Sequence, residues 1–352
     1  MTNGNPPLFG NIVQGYASLP GKGSSGKDIL ETEISSNHSK HKTNKEKSIQ
    51  YSAPNSPFVI TLANQKGGVA KTTSVVSLAG AFILNSLDVL VMDLDAQANL
   101  TMALGKDTSR IRNTITDVLF NNASLVSISR ETQIKGLDIA PADAGMELTE
   151  RFLSVRKNYE NILRLAIQEL SAIRKNKNPP IKVQDQILSN PSANSIFGLH
   201  HHTEKKPSYR PYYDLIILDC PPSMGAISIS ALVASDLLII PTQPEYFSAH
   251  ALRSMMATIQ QVRNEYNPKL AYRILITMFD QRNRIHRQVE NQIRDTFKQA
   301  VFETTIGVDT KLRECALQGF PITHQNKHSR SSLQYQALAQ ELIAYVQPQP
   351  TA

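Results

Sequence analysis

Tryptophan is absent from the 352 residues, aromatic side chains make up 6%, and cysteine occurs twice. Cys220 and Cys315 stand too far apart to suggest a disulfide framework, and neither has a closely spaced partner of the metal-ligand type. A reducing compartment fits that pattern. The chain also lacks an apolar run of the ~18–20 residues needed to cross a bilayer, and its first residues contain no apolar signal core. Secretion, membrane spanning and a membrane partner are therefore not expected, and a cytoplasmic location is. Acidic residues are the scarcer charge, with 30 Asp+Glu against 37 Lys+Arg, giving a net charge of +7 and a pI near 9.3. That balance favours an anionic partner. Hydrophobic residues at 41% are enough for one large core with chain to spare.

The spare chain is easy to locate. Residues 1–56 are rich in Ser, Asn, Gly, Pro and Lys and too poor in apolar residues to offset the cost of ordering, so a disordered tail is expected there. Residues 175–212 contain Pro179-Pro180, His200-His201-His202 and Lys205-Lys206 and are expected to form a basic, flexible insertion. Residues 347–352 are read as a disordered end. What remains, 57–346, reads as one domain. Its continuous apolar runs at 58–63, 88–93, 213–219, 236–241 and 272–279, with a short one at 136–141, are strands buried on both faces, the pattern of a mostly parallel twisted α/β sheet flanked by helices. Leu148, Phe152, Val155, Leu163, Ala166, Ile167 and Leu170 recur at helical spacing and predict one long amphipathic helix over 146–174.

The chemistry is concentrated where the first strand turns into a helix, at Lys66-Gly67-Gly68-Val69-Ala70-Lys71-Thr72-Thr73. Adjacent glycines let backbone N–H groups converge on phosphate oxygens, and the helix start adds unpaired donors and a positive dipole end. In such a loop Lys71 is placed to reach the β- and γ-phosphates and Thr72 to hold Mg²⁺. Ala70 adds a Cβ beside the phosphates and is expected to hold a negative φ, as helix entry normally provides. The second strand runs into Asp93-Leu94-Asp95-Ala96-Gln97-Ala98-Asn99, setting two carboxylates at a strand's C-terminal end, where α/β sheets place ligands. The run Leu215-Ile216-Ile217-Leu218-Asp219-Cys220-Pro221-Pro222 ends in a carboxylate suited to Mg²⁺.

Lys66 at the front of the loop, with Lys71 behind it, resembles the deviant Walker-A P-loop NTPases, the family of the ParA and Soj partition ATPases, MinD and the nitrogenase iron protein. The Asp93 stretch resembles that family's DxDPQGN motif, with Ala96 and Ala98 as departures, and Asp219-Cys220-Pro221-Pro222-Ser223 resembles its Walker-B ending. The resemblance implies ATP and Mg²⁺ as cofactors and an ATP-dependent homodimer in which Lys66 reaches the partner's phosphates. It implies that Asp95 orients the attacking water, that residues 67–73 cradle the phosphates, and that Thr72 and Asp219 organise the metal. Pro241 and Met278, in the loops after two later strands, are the expected contacts to adenine and ribose. The stretch 310–322 resembles the ParA and Soj ending, which implies non-specific DNA binding through Arg282, Arg287, Lys311 and Arg313, a nucleoid-associated location and a ParB-like activating partner. The implied function is DNA partition. Nucleoid positioning of a protein compartment or receptor cluster, or a MinD-like membrane association, are alternatives within the family. The prolines after residue 346 do not suit a basic membrane helix, and neither cysteine sits where an iron–sulfur cluster would need it.

Overall fold

The computed structural model describes residues 56–175 and 213–346. The expected tail, the insertion with its histidine triplet and residues 347–352 lie outside them. Seven strands are present among the described residues: β1 (Phe58–Leu62), β2 (Val89–Asp93), β3 (Arg130–Glu131), β4 (Leu137–Ala140), β5 (Leu215–Asp219), β6 (Leu237–Thr242) and β7 (Ala271–Ile276). They form one sheet in the order β3-β4-β2-β5-β1-β6-β7, parallel throughout except for the two-residue edge strand β3, which runs antiparallel to β4. The apolar runs predicted the other six strands because a parallel strand buried on both faces needs no polar alternation.

The sheet order matters more than any single element. It sets β2, β5 and β1 side by side, with Asp93 in register with Asp219 and Leu62 in register with Asp219 from the other side. Three motifs far apart in sequence therefore emerge from adjacent strand ends on one edge of the sheet, where ligands of α/β folds bind. Side chains along β1 alternate between two cores, Val59 and Ala63 facing one way, Ile60 and Leu62 the other. On the second side lie α1 (Lys71–Leu84) and α12 (Arg330–Val346). The first side is covered by α6 (Ile162–Lys175), α7 (Ala226–Ala234) and α8 (Ser248–Glu265).

The single helix expected over 146–174 is two. A helix α5 (Gly145–Leu153) ends, a short 3₁₀ turn follows at Tyr159–Asn161, and α6 begins at Ile162. Asn158, the residue before the 3₁₀ turn, takes a left-handed conformation (φ 58°), which keeps the two helices from joining into one. The break shifts the helical phase, so Leu163, Ile167 and Leu170 are buried as expected while Leu148, Phe152 and Val155 are exposed.

α1 is held close to the segment that leads into α12 by a glycine. A Cβ on Gly80 would collide with Thr323 Oγ1 and the Pro321 side chain at the start of α11 (Ile322–Gln325). Gly80→Ala, which would help an isolated helix, is expected to destabilise this one by about 1–3 kcal/mol through overpacking. Urea unfolding measures it, and an unchanged or raised midpoint would show that the α1–α11 contact yields freely.

Candidate functional site

The loop between β1 and α1 is anchored on two sides before any ligand enters. Asn64 donates through Nδ2 to the Pro241 carbonyl (2.7 Å) and accepts from the Lys66 N–H (2.9 Å), and Thr277 Oγ1 donates to the Val69 carbonyl (3.1 Å). Between the anchors Gly68 holds φ +72°, and a Cβ on Gly67 or Gly68 would meet nothing within 4 Å. No side chain caps the start of α1. Open space in front of two glycines and an uncapped helix start is a cradle that fits a phosphate.

Lys71 is buried, with its Nζ donating to the Asn64 carbonyl (3.3 Å) and, at 3.5 Å, to that of Lys66. Burial lowers its pKa, while Asp219, then Cys220 and Asp95, pull it back up. Lys66 is different. It turns outward, and its ammonium pairs with the Glu245 carboxylate in the loop after β6.

The carboxylates divide into three roles. Asp93 is fully buried and accepts at Oδ2 from the Thr101 N–H (2.8 Å) and hydroxyl (2.7 Å), and at Oδ1 from the Asp95 N–H (3.2 Å). Thr101 in turn accepts from the Ala142 N–H (3.1 Å). Burial pushes the Asp93 pKa up to about 6 against the pull of those donors. Asp95, half-buried, faces the cavity in a turn closed by the Gln97 N–H on Oδ1 (3.0 Å). Asp219 is 1% exposed, and neither of its oxygens has a well-formed hydrogen bond, although the Thr72 hydroxyl lies near enough to favour the charged form. Burial, and then Asp93, push its pKa well above the usual carboxylate range. An orphaned buried carboxylate beside a threonine hydroxyl and a lysine fits a hard divalent cation.

These groups open onto a cavity of about 560 Å³ lined by Gly67, Gly68, Lys71, Thr72 and Asp95 together with Met278, Val308, Leu312 and Arg313. Met278, the expected adenine or ribose contact, lines the cavity from a left-handed turn (φ 52°). Pro241 is not in the lining. It is buried within β6, and its contribution is the carbonyl that anchors Asn64. The buried Tyr335 of α12 also lines the cavity and shares a hydrogen bond with Ser74 (2.9 Å). A neighbouring cleft of about 760 Å³ shares Gly307 and Val308 but has no phosphate loop, and its Arg294 is engaged by Glu290, Thr305 and two carbonyls.

The chain matches the family description AAA domain over residues 58–176 and 197–272. It is 30% identical over 289 residues to the chromosome partitioning protein ParA of Caulobacter vibrioides, covering 81% of this chain and 94% of that one. It is 32% identical over 286 residues to the Myxococcus xanthus protein of the same name, with 81% and 87% covered. This chain belongs to the ParA/MinD family of P-loop ATPases. Among solved structures, cobyrinic acid a,c-diamide synthase from Mycobacterium smegmatis with bound ATP analog and magnesium is 25% identical, with a TM-score of 0.62 over 82% of this chain and 95% of that one. A Cyanothece McdA variant in complex with ATP shares the fold at 16% identity, with a TM-score of 0.64 over 83% and 98%. Among the described residues of this family member, no helix is long and apolar enough to cross a membrane, and no group of three or more His, Cys, Asp and Glu side chains is placed to hold a metal ion.

Of the basic residues read as a DNA patch, Arg282, Arg287, Lys311 and Arg313 are all exposed. Two chain segments carry them, 280–287 and 308–313, and both leave a backbone junction where Phe279 pairs with Gly307. Arg313, in the first turn of α10 (Lys311–Gln318), also reaches the cavity lining. The sequence did not single out Asn64, Tyr335 or Glu245 as site residues, and it left Asp93 without a role of its own. For Glu245 a signal existed, since it sits at the C-terminal end of a parallel strand.

The expected negative φ at Ala70 is overturned. Ala70 holds φ +64° and Ala98 holds φ +50°, two alanines in left-handed positions flanking the phosphate loop and the Asp95 turn. At Ala70 the chain reverses direction immediately before α1, and a left-handed residue makes that turn. Each costs about 1–2 kcal/mol, against about 0.4–1 kcal/mol of unfolded-state entropy that a glycine would add. Ala70→Gly and Ala98→Gly are each expected to raise the free energy of unfolding by about 0.5–1 kcal/mol, whereas Ala79→Gly inside α1 lowers it by about 1 kcal/mol. Equal losses at all three positions in urea titrations would contradict the strain.

Proposed function

We propose that this chain is an ATP-hydrolysing DNA-partition switch: a homodimer when ATP-bound, held on DNA without sequence preference and released when a ParB-like partner stimulates hydrolysis. One observation carries the reading. A single phosphate loop bears two lysines in opposite settings, Lys71 buried against its own loop and Lys66 turned out of the cavity lining toward a surface carboxylate. One lysine serves the chain's own nucleotide, and the other is free to serve a partner's.

The residues divide the work accordingly. Residues 67–73 hold the phosphates through backbone donors, Lys71 places its charge beside them, and Thr72 with Asp219 would hold Mg²⁺. Mg²⁺, when bound, neutralises charge on the β- and γ-phosphates. Asp95 accepts a hydrogen bond from the attacking water and aligns it, while Asp93 fixes the Asp95 turn through its backbone N–H and clamps the start of α2 (Asn99–Ala103) through Thr101. Lys66 from the second subunit adds positive charge where it develops in the transition state. Arg282, Arg287, Lys311 and Arg313 supply salt-sensitive phosphate contacts to DNA.

Asp95→Ala is expected to bind ATP and remain on DNA with turnover lowered roughly 10²-fold or more. Lys66→Ala is expected to lose turnover to a comparable degree together with ATP-dependent dimerisation. Wild-type turnover in either variant overturns its assignment. In binding to random-sequence DNA, only the ATP form should bind, with affinity falling as salt rises. Arg282→Glu with Lys311→Glu should abolish that binding while ATP affinity stays. Equal binding in ATP, ADP and no nucleotide would remove the switch, and unchanged DNA affinity in the double variant would move the surface elsewhere.

A further inference from the structure

One stretch of chain, 303–313, joins the nucleotide cavity to the basic surface. Its Ile306, Gly307, Val308 and Thr310 line the cavity, and its Lys311 and Arg313 are exposed cations proposed above to meet DNA. On one side it meets the chain after β7 through an isolated bridge, Phe279 with Gly307, whose bond from the Val308 N–H to the Phe279 carbonyl is long (3.4 Å). On the other side it is held by side chains of α12. The Glu303 and Thr304 N–H groups donate to the Glu341 carboxylate (3.0 and 3.3 Å), the Gly307 N–H donates to Gln334 Oε1 (3.1 Å), and Arg330 donates to the Val308 carbonyl. A Cβ on Gly307 would stand 3.2–3.4 Å from three atoms of the Arg330 guanidinium, so that group lies close over the peptide. Arg330, Gln334 and Glu341 are four and then seven residues apart, which sets them on one face of the helix.

The next side chain along, Tyr335, turns toward α1. It is fully buried and shares its 2.9 Å hydrogen bond with Ser74, three residues after Lys71. Leu338, Ala339 and Leu342 lie with it in one core with Val75, Leu78 and Phe82 of α1, so the two helices form a close-packed unit. α12 therefore grips the phosphate-loop helix with one face and the stretch bearing the DNA cations with another. Side-chain contacts to backbone can yield by a rotamer change, whereas a continuous strand ladder cannot.

We propose that α12 is the coupling element of the switch: Tyr335 follows the first turn of α1 through Ser74, and Gln334, with Arg330 and Glu341, sets the position of 303–313 and so of Lys311 and Arg313. The inference rests on the reading of an ATP-dependent hold on DNA and names the residues that carry the dependence. A ligand in the cavity bears on both ends of this clasp, on α1 through residues 71–73 and on the stretch through residues 306–310. Coupling of this kind is reciprocal, so what ATP adds to DNA affinity, DNA adds to ATP affinity. Gln334 is a positioning residue. It lies outside the cavity lining and carries no charge for DNA to attract.

The test is binding of the full chain to random-sequence DNA in Mg²⁺ with a slowly hydrolysed ATP analogue or with ADP, for wild type, Gln334→Leu, Gln334→Glu and Tyr335→Phe. Gln334→Leu removes the acceptor for the Gly307 N–H, and Gln334→Glu keeps it. Affinity for a fluorescent ATP analogue, with and without DNA, reports folding and the reciprocal coupling. For Gln334→Leu the expected ratio of ATP-state to ADP-state DNA affinity is lower by about fivefold or more, and the gain that DNA gives to ATP-analogue affinity falls by the same factor. Gln334→Glu keeps the wild-type ratio, and Tyr335→Phe lowers it. A helix that merely supports the fold would lose stability in these variants and leave the ratio unchanged. A wild-type ratio in either Gln334→Leu or Tyr335→Phe, or an equal loss in Gln334→Glu, overturns the coupling role and leaves the DNA switch standing. A wild type that binds DNA equally in both states, or in neither, overturns both. Should Gln334→Leu fail to bind nucleotide, Tyr335→Phe alone is read against the same outcomes.

Discussion

Two buried carboxylates of like charge, Asp93 and Asp219, sit in register on adjacent strands, and the site is arranged around the cost of keeping them there. Burial pushes both toward the neutral form, Asp93 adds to that push on Asp219, and Asp95 adds to it on Asp93. A pair of buried anions is tolerable only where charge or hydrogen bonds reach it. Asp93 is answered by three donors from the chain that follows it, and this ties the Asp95 turn and α2 to the sheet. Asp219 has Lys71 and the Thr72 hydroxyl nearby but no completed hydrogen bond. The two strand ends are thus unequal, one satisfied internally and structural, the other unsatisfied and suited to a cation.

That inequality explains why strain is tolerated so close by. The loops on either side of the carboxylates must bring backbone donors and Asp95 to one point, and both loops turn through a left-handed alanine to do so. The anchors that hold them, Asn64 to Pro241, Thr277 to Val69 and Thr101 to Asp93, come from the sheet or from the helix behind it. A rigid sheet edge can hold loop residues in conformations they would leave if free, and such residues gather where ligands bind.

Much of this was legible in the residues. The apolar runs marked six strands, and the Gly-Gly-x-x-Lys-Thr spacing marked the phosphate loop because phosphate leaves little freedom of spacing. What the sequence hid lies in three kinds of place. The two-residue strand β3 is too short for any period to appear. The break between α5 and α6 contains no Pro or Gly, so apolar spacing seemed to run through it, and Asn158 was the only local sign. The Lys66–Glu245 pair joins residues 179 apart, a contact that only the order β5-β1-β6 creates. Pro241 is buried at the end of β6 and meets the phosphate loop through its carbonyl, which accepts from Asn64, a backbone contact that residue identity does not announce.

The two lysines of the phosphate loop are held very differently. Lys71 lies in a region of low dielectric beside Asp219, and moving it would leave a buried carboxylate without a cation, at a cost of several kcal/mol. Lys66 and Glu245 are about a third exposed, at 30% and 41%, and an ion pair so well solvated is worth about 0–1 kcal/mol. The fold therefore fixes the inner lysine firmly and the outer one hardly at all. A side chain tethered by so weak a contact has a defined resting place and can still leave it for a phosphate, because a polyanion in a cavity sheltered from water offers a stronger field than one surface carboxylate. For the proposed switch, weakness in the Lys66–Glu245 pair is a condition, because a buried and fully bonded pair at the same place would hold Lys66 within its own subunit.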